Sequence, residues 1–107
     1  MWKNSKRKAR RAFKETLTYY KDKLERAIQK ASIRECSRLL IVLSTNLYGS
    51  TEVYPEYQEE LAKLLKLTEV ADDRIKDASI KEQSLDDGII LDLAEIWQLL
   101  DELVNKL

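Results

Sequence analysis

The sequence has no histidine, one cysteine, one proline and two glycines among its 107 residues. Each shortage removes a class of protein. Without histidine there is no imidazole to serve as general base, proton shuttle or metal ligand. No serine, threonine or cysteine can then be activated by the common imidazole route. Cys36 alone cannot close an intramolecular disulfide, so nothing points to an oxidising compartment. Two glycines and one proline are too few for an all-β fold, which needs turn residues every ~8–12 positions. The longest uncharged run, the thirteen residues between Arg38 and Glu52, falls short of the ~20 apolar residues that cross a bilayer.

What is present is charge, in an uneven arrangement. The formal net charge is zero, but thirteen Lys and Arg face four carboxylates up to Arg38, and six face fifteen from Leu39 onward. The sign changes inside the uncharged run RLLIVLSTNLYGSTE, whose apolar heart is Leu39–Leu43. Seven cations, Lys3, Lys6, Arg7, Lys8, Arg10, Arg11 and Lys14, precede the first acid.

The periodicity is helical throughout. Phe13, Leu17, Tyr20, Leu24, Ala27 and Ala31 step by alternating fours and threes, predicting a first helix from about Ser5 to Lys30. Ser32-Ile33-Arg34-Glu35 has the form of a capping box; it either starts a second helix or lies inside one continuous helix. The second helix covers about Ile33 to Tyr48, with Gly49 suited to the left-handed position after it. Ile33, Cys36, Leu40, Leu43 and Leu47 form its main stripe, and Leu39, Ile41 and Val42 widen it, so this helix is expected to be the most buried. Pro55 suits a first helical position, and Tyr57, Leu61, Leu64, Thr68, Ala71, Ile75 and Ala78 predict a third helix to about Glu82, with a possible break at Thr68. After the polar turn Ser84–Gly88, a broad stripe from Ile89 to Leu107 predicts a fourth. Trp97 lies on that stripe and is expected to be buried, with Trp2 exposed. The fold class is therefore all-α. The expectation is a compact bundle of about four helices, the second (about 33–48) central, in one domain over residues 1–107. Residues 1–14 are a basic extension or the start of the first helix.

Chemistry-bearing constellations are scarce. Asp72, Asp73 and Asp77 with Glu69, and Asp86, Asp87 and Asp92, crowd two acidic stretches, but neither has the D-x-D-x-D-G loop that presents oxygens to a hard cation. A solvated acidic face accounts for both. Cys36 sits on an apolar stripe, as a small buried hydrophobe does, and there is no glycine-rich phosphate loop. The expectation is a non-enzyme with no cofactor, no metal and no catalytic residue.

The basic start, WKNSKRKARRAFK, is the one segment with a binding signature. Its seven cations can follow a phosphate backbone, with Trp2 and Phe13 available to stack on bases. It suits anionic lipid, an import signal or an acidic protein surface as well. No apolar segment of the secretory kind follows it, and a cytoplasmic location is expected.

The stretch Glu56–Leu61, EYQEEL, follows a Tyr-bearing connection from an apolar helix. It resembles the third-to-fourth-helix region of small bacteriocin immunity proteins of lactic acid bacteria. The resemblance spans about Arg38 to Leu65, and the basic start and the long segment after Leu65 depart from it. It implies a cytosolic four-helix bundle that acts by binding a protein target at the membrane, and it assigns no functional residue.

Two functions follow as expectations. One is a small intracellular regulatory protein whose basic helix contacts a polyanion, in the first place nucleic acid, through Lys3, Lys6, Arg7, Lys8, Arg10, Arg11 and Lys14. The other is a protein-binding inhibitor or immunity-like bundle that meets a protein partner or membrane surface. Opposite charge in the two halves and the heptad of the first helix also favour a homo-oligomer.

Overall fold

The computed structural model describes the backbone of residues 2–81 and 85–107 and the side chains of residues 7–81 and 85–107. The described residues form five α-helices: α1 (Trp2–Lys30), α2 (Ile33–Leu47), the single turn α3 (Ser50–Val53), α4 (Gln58–Ile80) and α5 (Asp87–Lys106). Among the described residues there is no strand. The four long helices run up, down, up and down, as short connections between helices dictate. α1 packs on α2 and α5, and α4 packs on the same two, so that α1 faces α4, and α2 faces α5, across the core.

Each long helix turns one stripe inward. α1 contributes Leu17, Tyr20, Leu24 and Ala27, and α2 contributes Cys36, Leu40, Leu43 and Leu47. α4 adds Leu61, Leu64, Ala71 and Ile75, and α5 adds Ile89, Leu93, Ile96, Leu100 and Leu103. These side chains form one core cluster. Thr68 belongs to it without breaking α4, because its hydroxyl donates to the Leu64 carbonyl at 2.7 Å.

The connections show how the sequence sets its boundaries. α1 and α2 are separate helices. At their junction the Ser32 N–H donates to the Ala27 carbonyl (3.2 Å) and the Ala31 N–H to the Ile28 carbonyl (3.0 Å). This is the paired closure of a Schellman end, and Ala31 occupies its left-handed position at φ 52°. Ser32 then caps α2, its hydroxyl accepting from the Glu35 N–H at 3.2 Å. The return half of the box is not made: Glu35 Oε1 lies 3.8 Å from Lys30 Nζ instead. Gly49 takes the left-handed conformation after α2, at φ 81°. Asp86 caps α5 by accepting from the Ile89 N–H at 2.8 Å.

Four features differ from expectation. α2 is not the most enclosed helix: it stands at one corner of the bundle, and Ile41 and Val42 are 44% and 46% exposed. A helix with two neighbours can bury only one stripe, so the second apolar row has nothing to cover it. Pro55 begins a 3-10 turn, Pro55–Tyr57, rather than the third long helix. The turn α3 before it had no periodicity to reveal it. Trp97 is only half-buried, on the α1–α5 seam, with Lys21 Nζ 5.6 Å from its ring centre. The Trp2 side chain and Glu82 lie outside the described residues.

Ala31 is a direct test of this geometry. An L-residue in the left-handed region costs about 1–2 kcal/mol that glycine avoids. Ala31→Gly is expected to stabilise the protein by about 0.5–1 kcal/mol after its larger unfolded-state entropy is counted, measured by urea unfolding.

Candidate binding surface

The inward stripe of α1 divides the seven N-terminal cations. The side chains of Lys3 and Lys6 lie outside the described residues. Arg7, Lys8, Arg11 and Lys14 are exposed, and none is held in an ion pair among the described residues. Arg10 is placed differently. It pairs with Glu56, and its guanidinium lies 6.0 Å from the Tyr57 ring centre. Phe13 stacks on Tyr54 with ring centres 4.6 Å apart and planes 15° apart, so one of its faces is already taken. The Tyr54 hydroxyl donates to the Ala9 carbonyl at 3.1 Å.

The same segment grips the other end of the chain. The Tyr57 hydroxyl donates to the Lys106 carbonyl at 3.0 Å, and Lys106 Nζ reaches Glu60 Oε1 at 3.2 Å. In EYQEEL, then, Glu56 holds α1, Tyr57 and Glu60 hold α5, and Leu61 enters the core. The motif fastens helices to one another.

A second cationic region lies farther along α1. A groove of about 540 Å³ runs between α1 and α2, lined by Tyr19, Lys23, Arg26 and Lys30 on one side and by Glu35, Arg38 and Leu39 on the other, with Ala27 also lining it. Lys23 Nζ lies 5.5 Å from the Tyr19 ring centre. Among the described residues no ion pair holds Arg26, Arg34 or Arg38. The spacing 19, 23, 26, 30 was a usable signal: it is the α1 stripe offset by one position, on the flank that faces α2.

Exposed uncharged residues of α2 and its C-cap continue this surface. Ile41, Val42 and Tyr48 are exposed, Tyr48 at 79%, and no formal charge separates them. The acidic half behaves otherwise. Asp72 pairs with Lys76, Asp77 with Lys81 and Asp92 with Arg74, so both acidic stretches are partly neutralised in place. Among the described residues no group of three His, Cys, Asp or Glu could hold a metal ion. Among the same residues no helix is long and apolar enough to cross a membrane.

Cys36 is buried, and loss of solvent, with the Glu35 charge adding to it, pushes its thiol up to about 11. Both effects disfavour the thiolate that a nucleophile needs. The Tyr20 hydroxyl is raised as well, first by burial and then by Tyr19; it accepts from Asn46 Nδ2 at 2.7 Å.

Two outcomes follow from these placements. Arg10→Glu is expected to destabilise the protein by about 1 kcal/mol through the lost pair and the new repulsion with Glu56, while Arg11→Glu changes stability by less than about 0.5 kcal/mol. Thermal unfolding of the two variants compares them. For Cys36, the unfolded thiol releases its proton near the ordinary value of 9.0 while the folded one keeps it to about 11. The folded state then binds more protons, so stability falls as pH rises through that interval. Cys36→Ala is expected to flatten this part of the decline in urea unfolding followed from pH 8 to pH 11.

Set against known proteins, the chain matches no family model, no curated protein and no solved structure.

Proposed function

We propose that this chain is a non-enzymatic intracellular binding protein that holds a protein partner against the α1–α2 side of its bundle. The observation that carries this reading is the uncharged exposed group Ile41, Val42 and Tyr48 beside the cations Arg26, Arg34 and Arg38. Exposed apolar side chains next to arginine and tyrosine are the composition of a protein interface. A phosphate backbone uses the cations alone, and its interfaces are more polar. The immunity-like resemblance of EYQEEL agrees with a protein-binding bundle, although its residues here are spent on helix contacts.

A second reading is nucleic-acid binding through Lys3, Lys6, Arg7, Lys8, Arg11 and Lys14. The exposure of Arg7, Lys8, Arg11 and Lys14 on one end of α1 favours it, and the stacking of Phe13 on Tyr54 weakens its aromatic component.

A photo-crosslinking residue at Val42, with one at Glu95 on α5 as control, separates the two in source cells. The protein-binding reading predicts adducts at position 42 that resist nuclease, are lost on protease digestion and disappear with Arg38→Glu. Nuclease-sensitive adducts, or none beyond those of position 95, would contradict it. The nucleic-acid reading predicts dissociation constants of roughly 10⁻⁴ to 10⁻⁶ M for labelled DNA or RNA at physiological salt, weakening as salt rises. Fluorescence anisotropy at two salt concentrations measures this, with Arg7→Glu/Arg11→Glu as the variant that loses binding.

A further inference from the structure

We infer that the groove between α1 and α2 takes an acidic amphipathic helix of the protein partner. This deepens the protein-binding reading and rests on it. The shape comes first. The groove runs along two antiparallel helices, so a third rod laid in it is the form that follows its length. Tyr19 to Lys30 spans about 16 Å at ~1.5 Å per residue, which is about three turns of a docked helix. On α1 the lining side chains recur at steps of four, three and four, the spacing against which a second helix sets its own ridges.

The chemistry comes second. Ala27 is 2% exposed and so leaves room between the helices without offering surface, and the apolar contact comes from the exposed Tyr19 ring and the half-buried Leu39. Lys23, Arg26 and Arg38 stand along the groove, outside any ion pair among the described residues. Lys30 meets Glu35 only at 3.8 Å, and Glu35 is the one acid in the lining. Cations on both helices with Tyr19 and Leu39 between them match a helix rich in Asp and Glu that carries a narrow apolar stripe. That is the helix-in-groove mode, with alternate apolar anchors setting position and charge setting orientation. Val42, 46% exposed, lies one turn beyond Arg38 and extends the apolar contact along α2.

The test uses the full chain and a stapled helical peptide of about five turns, carrying Leu at i, i+4, i+7 and i+11 with Glu on both flanks. A scrambled peptide of the same composition is the control. Titrations are followed by amide chemical shifts and by anisotropy. The proposal predicts saturable binding with shifts gathered on Lys23, Arg26, Arg38 and Leu39, and binding of the scrambled peptide at least roughly tenfold weaker. Arg26→Glu/Arg38→Glu is expected to lose at least roughly tenfold in affinity with unchanged helix content, because both side chains are exposed. Glu35→Gln, which removes the one acid, is expected to tighten binding by roughly 1.5- to 5-fold, the span of an exposed charge contact. Equal binding of the scrambled peptide would overturn the proposal, as would shifts on α4 and α5. So would sedimentation of the chain alone as a dimer that Arg26→Glu/Arg38→Glu dissolves, since the groove would then hold a second copy. Loss of peptide binding while the Val42 adducts persist removes only the helical occupant. Loss of both removes the protein-binding reading itself.

Discussion

The rotational phase of each helix, set by its one buried stripe, is the constraint on which the rest of this protein depends. Leu17, Leu24, Leu40, Leu43, Leu61, Ile75, Leu93 and Leu100 face inward together, because each helix must bury its apolar stripe against the other three to exclude water. Once they do, no charged side chain is free to choose its side. Arg10 is carried toward Glu56, Lys21 toward Asp101 at 3.1 Å, and Arg11 and Lys14 away from the bundle. The charge asymmetry of the sequence becomes an asymmetry of surface. Of the six cations after Leu39, Arg74, Lys76, Lys81 and Lys106 are paired with acids. Of the eleven described cations up to Arg38, only Arg10, Lys21 and Lys30 are. Uncompensated positive charge therefore gathers on α1 and α2.

The end of the bundle near Tyr54 closes the structure by another means. There Ala9, Arg10 and Phe13 precede Leu17, the first fully buried leucine of α1. Stacking of Phe13 on Tyr54, the Tyr54 hydroxyl on Ala9 and the Arg10–Glu56 pair hold that part of α1. Tyr57 and Glu60 hold α5 from the same segment. Exposed pairs of this kind contribute about 0–1 kcal/mol each, so their combined effect is to fix how α1 and α5 meet the start of α4, and the core supplies most of the stability.

Helix type and position were legible in the sequence because the stripes of Leu17–Ala27, Leu61–Ala78 and Ile89–Leu107 keep helical spacing without interruption. Ser32, Gly49 and Asp86 marked ends that the backbone uses. The short turns from Ser50 to Tyr57 were not legible, since elements of three or four residues have no period. Nor was the exposure of Ile41 and Val42. Five consecutive apolar residues state that a helix is apolar all round, but how many neighbours it has is a property of the whole bundle. The basic segment was legible as charge, and Arg10 was inseparable from Arg11 until the phase of α1 was fixed. The α1–α2 groove drew no notice because its cations are spread over two helices and become neighbours only when these pack.

The central claim is that α2 commits one face to the core and leaves Ile41 and Val42 exposed on the other. Cysteine scanning along residues 39–47 in a Cys36→Ala background, with alkylation rates measured on the native protein, tests it most directly. The account predicts fast modification at 41, 42 and 45 and protection at 40, 43 and 47, a helical alternation matching exposure at each site. Uniform protection along the whole stretch would contradict it, since it would mean that the outer face of α2 is already covered.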